Sequence, residues 1–199
     1  MKNAIALAAV AGIASAAAAQ SASLSIVPSA TTIDSTVTTS FTLSVYGDAD
    51  FGTAFAGGEF GLSATGGSMV NGMTGAAAAW GAGFQNDRGH AGAGNHDGLV
   101  FGQLIFPPVL NPAPESALPG PVLLGVMTVS IDASSAGVID WSTAAGMGDF
   151  ILEVFDNGDA SFTQLTSVDH GTARVNIVPA PSAMALLGLG GLVAGRRRR

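Results

Sequence analysis

Apolar residues at helical spacing are hard to find between residues 20 and 177. That region breaks instead into short runs rich in Val, Ile, Thr and Phe, punctuated by Gly, Asp, Asn and Pro. Val37 to Tyr46 is the clearest run: Phe41, Leu43 and Val45 alternate with Thr42 and Ser44, so one side of an extended chain is apolar and the other polar. Further strands are expected at Ser23 to Val27, Thr53 to Ser63, Leu99 to Phe106, Val122 to Ile131, Gly137 to Trp141, Phe150 to Phe155, Ala160 to Leu165 and Thr172 to Val178. Eight or nine strands of this kind predict an all-β fold, a single antiparallel β-sandwich of two packed sheets.

Asp156-Asn157-Gly158-Asp159 lies between two apolar-containing runs and supplies residues that tolerate positive φ, so Phe150 to Leu165 reads as a hairpin. Val122 to Val129 is apolar on both faces and reads as a central strand covered on each side. Gly66 to Gly98 is rich in Gly and Ala, and Phe106 to Pro121 contains six prolines, so both are expected to be long surface connections. A domain of this size needs neither metal nor disulfides, and the chain has no cysteine.

The two ends read as address labels. Met1-Lys2-Asn3 is a short positive start, Ala4 to Ala14 an apolar run, and Ala17 to Ala19 offers small residues before Gln20, the pattern of a signal peptide cut between Ala19 and Gln20. At the other end stands Val178-Pro179-Ala180-Pro181, where the prolines hold an extended stem. An uncharged stretch follows, from Ala183 through Leu186, Leu187, Leu189, Leu192 and Val193 to Gly195, and then Arg196, Arg197, Arg198 and Arg199. At about 1.5 Å per residue this stretch makes a short transmembrane helix. The arginines favour the cytoplasmic side, which places the preceding domain outside. The expected organisation is a signal helix at 1–19, a β-sandwich at 20–177 and a tail at 178–199.

That tail resembles the PEP-CTERM sorting signal: a Pro-Glu-Pro-like tripeptide, a short Leu/Gly/Ala-rich membrane segment and a terminal arginine cluster, with Ala180 standing where the family has Glu. The resemblance implies an exosortase-type sorting protease as partner, cleavage near the tripeptide, and a destination at the cell surface or in the extracellular, exopolysaccharide-associated matrix of a bacterium. Leu24 to Pro28, Val37 to Tyr46 and Ala56-Gly57-Gly58-Glu59-Phe60 together resemble the opening of cohesin-like and carbohydrate-binding β-sandwich modules, with Gly120 to Ile131 fitting a later strand. This implies a jelly-roll type of sandwich and a binding role.

Charge narrows the partners. Five of the seven basic residues lie in the end segments, so residues 20–177 carry Arg88 and Arg174 against all 14 carboxylates, a net charge of −12. Such a surface repels phosphate backbones and excludes nucleic acid. Neither a G-x-S-x-G elbow nor a P-loop is present, and no catalytic residue is assigned. Asp87 to Gly98 gathers two His and two Asp among glycines, a solvated loop with a secondary reading as metal ligands. Asp48 and Asp50, and Asp156 and Asp159, are candidate calcium ligands whose default role is turn chemistry; no other cofactor is expected. Trp80, Trp141 and Tyr46 are core members or sugar-stacking rings.

These readings lead to an exported, non-enzymatic structural or adhesive protein, with a carbohydrate- or protein-binding module as the alternative and an extracellular hydrolase as the remote one.

Overall fold

The alternation around Val45 shows how the fold begins. In a computed structural model of the chain, Phe41, Leu43 and Val45 are buried while Thr42, Ser44 and Tyr46 lie half-open on the opposite side. The structure describes residues 20–80, 83–105, 111–147, 152–165 and 167–179. Signal residues 1–19, the stem residues Ala180 and Pro181, the apolar stretch and the four arginines lie outside the described residues. Among the described residues, no helix is long and apolar enough to cross a membrane.

Fourteen strands are found there, against the eight or nine expected: β1 (Ser21–Pro28), β2 (Thr32–Asp34), β3 (Ser40–Ala49), β4 (Ala54–Thr65), β5 (Val70–Ala77), β6 (Gly83–Asp87), β7 (His90–Gly92), β8 (Asn95–Gln103), β9 (Val122–Ile131), β10 (Gly137–Ala145), β11 (Glu153–Asp156), β12 (Ser161–Gln164), β13 (Ser167–Asp169) and β14 (Thr172–Val178). One sheet has the order β13-β1-β3-β9-β5. The other runs β12-β11-β4-β10-β14-β2, with β8 on the free edge of β4 and β6 and β7 pairing with β8. The core between the sheets is built from side chains such as Leu43, Phe60, Leu124, Met127, Ile139 and Val175, all fully buried.

The sandwich is not purely antiparallel. β13 runs parallel to β1, with Ser21 opposite Ser167, and β2 runs parallel to β14, with Ile33 opposite Ile177. Both are three-residue strands that follow or precede a sheet change, too short to carry a legible alternation. The β3 strand starts at Ser40 rather than Val37, because Thr36 donates its N–H and hydroxyl to Asp34 Oδ1 and folds residues 35–37 into a turn that leaves Val37 in solvent.

The largest departure is the Gly- and Ala-rich segment from Gly66 to Gly98, expected as surface connection. It forms β5, β6, β7 and the start of β8. Glycine lowers strand propensity, yet here close approach of the sheets requires it: Leu99 of β8 seats against Gly75 and Gly125, where a Cβ would stand 3.1 Å and 2.5 Å from its methyl groups. The side of β5 that no strand covers is covered by side chains of β6. Gly75 N–H donates to Asp87 Oδ2 at 2.8 Å and Ala77 N–H to Gln85 Oε1 at 2.7 Å, which closes the sandwich along that side.

β9 has the bounds expected of Val122 to Ile131 and lies inside its sheet, paired on both edges. One of its faces meets the core, while Thr128 and Ser130 on the other are exposed. The β11–β12 hairpin is present, with Asp156 opposite Ser161, but Ala160 carries the positive φ of 56° rather than Asn157 or Gly158. In the Pro-rich connection, the described part holds a 3-10 turn at Pro114–Ser116, pinned by Gln103, whose side-chain amide donates to Ser116 Oγ at 2.7 Å and accepts from Ala113 N–H.

Candidate functional site

A carboxylate stands in the middle of the most buried strand. Glu59 of β4 is flanked by Gly57, Gly58, Phe60 and Gly61, and its side chain is fully covered. Room for it comes from the neighbouring strands: a Cβ at Gly98 of β8 or at Gly146 just beyond β10 would overlap the Glu59 carboxyl group. An unpaired charge there would be costly. Arg88 resolves it, donating from Nε to Oε1 at 2.6 Å and from its second nitrogen to Oε2 at 3.1 Å, a two-pronged ion pair roofed by a guanidinium that is about one-third exposed.

Next to this pair sits a second one. His96 is buried on β8, and Gly98 N–H donates to its Nδ1 at 3.2 Å. That places the ring proton on Nε2, which donates to Asp87 Oδ1 at 2.8 Å. Asp87 also receives the N–H groups of Gly89 and Gly75. The residues expected to form a solvated loop or metal ligands therefore do come together in part, as a polar clamp joining β4, β5, β6 and β8. Both imidazole nitrogens and both Asp87 oxygens are engaged within it. His90 stands opposite His96 in the β7–β8 register, and its Nε2 is buried without a partner. Among the described residues, no three His, Asp or Glu side chains are grouped so as to hold a metal ion.

Asp48 and Asp50 lie at the pole where β1 begins. They line a shallow concavity of about 330 Å³ together with Ser21, Pro119 and Asp169. Asp50 accepts the Ser21 N–H at 3.0 Å and the Ser21 hydroxyl at 2.9 Å, and these donors hold its carboxyl below the ordinary value of 3.8. Asp48 accepts the Gly120 N–H. Asp156 and Asp159 accept the N–H groups of Gly158 and Ser161 within the hairpin turn. All four acids expected as calcium candidates thus perform turn and strand-end work. The two pairs lie in separate places.

Trp141 is buried edge-on to Phe41 and donates to Gly94 O at 3.0 Å. Trp80 is buried at right angles to Phe101, its indole N–H unpartnered. Tyr46 alone of the three lies on an outer face, half-buried. His170 is exposed and contacts the hydroxyl of buried Thr143 at 3.1 Å. The second arginine, Arg174 on β14, pairs with Asp140 on β10 at 2.6 and 2.9 Å in the open; the pair lowers the Asp140 carboxyl and raises the guanidinium. Glu153 moves the other way, raised by burial. Glu59 is the residue sequence reasoning passed over. Its signal was a lone acid in a run, Ala54 to Leu62, otherwise made of Ala, Gly, Phe and Leu, in a domain with two arginines to answer it.

At the far pole β14 ends the described sandwich. It lies between β10, antiparallel with Ile177 opposite Gly137, and β2, parallel with Val178 opposite Asp34; Val178 O also accepts the Ser35 N–H. Val178, read from sequence both as the last residue of the expected strand Thr172 to Val178 and as the first of the tail, is the last residue of β14. Because β13 and β14 follow the direction of β1, past Ser23 and Leu24 toward Thr31, the chain enters at the Ser21 pole and leaves at the opposite one.

No family model and no curated protein sequence matches the chain. Among solved structures it is similar to the seventh ScaB type I cohesin from Pseudobacteroides cellulosolvens, at 10% identity over 80% of this chain and 95% of that one, with a TM-score of 0.49. It is similar too to the sixth cohesin of scaffoldin B from Acetivibrio cellulolyticus, in complex with a Cel5 dockerin mutant, at 12% identity, 80% and 99% coverage and a TM-score of 0.44. The OlpA cohesin from Clostridium thermocellum, also in a dockerin complex, gives 9% identity, 78% and 99% coverage and a TM-score of 0.44.

Proposed function

We propose that this chain is an exported, non-enzymatic structural or adhesive protein of the bacterial cell surface or extracellular matrix, a β-sandwich delivered by a signal peptide and sorted through its C-terminal tail by an exosortase-type protease. The observation that carries this reading is how the last described strand meets the proline motif. Val178 closes a strand held on both edges, and Pro179, the first residue of the stem, follows it directly. A cut within Pro179-Ala180-Pro181 would fall after β14 and leave its pairing with β10 and β2 untouched. The acidic exterior suits an exported body that must stay soluble: both arginines of residues 20–177 are committed to carboxylates, on Glu59 and Asp140.

The test is intact-mass measurement of the cell-associated and released protein, in the parent and in a chain with Arg196 to Arg199 replaced by Gln. The parent is expected to lose residues 1–19 and to end near Pro181, while the Gln variant retains its tail and changes location. A chain ending at Arg199 in every fraction, or an unchanged destination, sinks the sorting reading.

A further inference from the structure

The two sheets divide the charge unequally. Of the 36 residues in β1, β3, β9 and β5, Asp48 alone is charged; it sits at one end with its carboxylate on the Gly120 N–H, and the sheet's other acid, Asp169 of the edge strand β13, lies at that same end. The other sheet holds Asp34, Glu59, Asp87, Asp97, Asp140, Glu153, Asp156 and Arg174. Beyond that end, the outward side of β1, β3, β9 and β5 is a neutral plateau on a body of net charge −12, made mostly of short side chains that lose little freedom when covered. Registers set them in rows: Ser25 beside Tyr46 beside Leu123; Val27 beside Ser44 beside Val126 beside Ala76; Thr42 beside Thr128 beside Thr74. Val27, on the outer strand β1 of the middle row, is 51% exposed. Soluble surfaces ordinarily carry interspersed charges, whereas the centres of protein interfaces are depleted in them.

We propose that this plateau is a self-association surface on which two copies of the chain meet face to face. Charge selects both the face and the occupant: on a body that sets 14 carboxylates against two arginines, two copies meeting through the plateau, clear of its Asp48 and Asp169 end, lay uncharged rows against each other. Strands about 4.8 Å apart, with outward residues about 6.7 Å apart, give about 500 Å² on each copy, or about 1,000 Å² in the pair. That is the lower bound for a specific interface, so the contact is weak and depends on the density of copies. A two-fold arrangement brings the same patch to itself, with Ser44 of the interior strand β3 close to its centre. The inference does not rest on the tail, and its failure leaves the sorting reading untouched.

The chain has no cysteine, so one introduced thiol reports without background. Full chain carrying Ser44→Cys, in mild detergent, is treated with a bis-maleimide spanning about 10 Å, the spacing of stacked sheets; Ser63→Cys, exposed on the outer side of the other sheet, is the comparison. Dimer on a denaturing gel is expected at least five-fold more abundant for Ser44→Cys. It should rise with salt, as the screening length shrinks from about 30 Å at 0.01 M to about 3 Å at 1 M. Adding Thr128→Glu, which sets like charges opposite one another, should remove it while leaving tryptophan fluorescence native. Equal cross-linking at both positions, none at either, or persistence in the Thr128→Glu chain overturns the proposal. So does a thiol at position 44 that yields no dimer and is shielded only when neutral soluble dextran is added, which would assign the plateau to a glycan.

Discussion

Arg88 and Arg174 make the same bond and do different work. Each guanidinium grips a carboxylate with two nitrogens at similar distances, yet the Glu59 side chain is fully buried whereas Asp140 and Arg174 are 44% and 72% exposed. In the open, water already solvates both partners and their attraction is screened. Under the Arg88 roof, Glu59 has no water to return to, so the ion pair is a condition for folding β4 where it lies. Burial, not bond geometry, separates a structural element from a surface ornament.

The contrast can be broken most forcefully by Arg88→Ala, which should cost about 3–5 kcal/mol by leaving Glu59 buried and unpaired. Urea denaturation followed through the buried Trp80 and Trp141 would read it, and a loss under about 1 kcal/mol would show that Glu59 finds another partner. Gly98→Ala, which pushes a methyl group into the Glu59 carboxyl, should cost about 1–3 kcal/mol. Only the clash should be relieved in a Glu59→Ala background, the strain of a side chain at φ 156° remaining, and a cycle without any coupling would mean the glycine matters for its backbone alone. The joint replacement Glu59→Leu with Arg88→Leu should cost less than Arg88→Ala alone, because no charge is then stranded.

Smaller effects lie in the pH dependence. Burial raises the Glu153 carboxyl above its ordinary 4.5, so the folded state holds that proton more tightly, and stability falls as pH rises from 4.5 through the raised value. Glu153→Gln should flatten this part of the profile in thermal melts taken at successive pH values, and an unaltered slope would assign it elsewhere. Asp140 behaves oppositely. Arg174 depresses its carboxyl, so its contribution is present above 3.8 and is lost as pH falls through the lowered folded value. Arg174→Ala should shift the melt near neutrality by little more than replicate scatter, and the shift should shrink further in high salt and in acid. A shift as large as that of Arg88→Ala would erase the distinction between the pairs.

Sequence carried the strands whose two faces differ. β3 and β14 are legible because a buried side chain every second residue leaves a mark in composition, whereas β9 was legible as a long apolar run, and its expected second cover is missing where Thr128 and Ser130 are exposed. β5 and β6 were not, since their strand character comes from partners: Leu99 pressing on Gly75, and Asp87 and Gln85 reaching the backbone of β5. No local propensity encodes a contact supplied from elsewhere. The same holds for the polar clamp. Asp87, Arg88 and His96 drew notice as a cluster, but their meaning depended on Glu59, some thirty positions earlier and brought near only by the pairing of β4 with β8. The turn acids were readable as turn acids, because Asp156 and Asp159 act on residues two positions away.

The path of β14 has a mechanical corollary. Strand-to-strand hydrogen bonds lie across the chain direction, and a pull applied at Val178 against a body held from the Ser21 end runs along it. The bonds to both neighbours would then have to give way together, sideways, instead of one after another as in a zipper opened from its end. A body mounted in this orientation would resist being dragged out of its seat by flow or by its own tether.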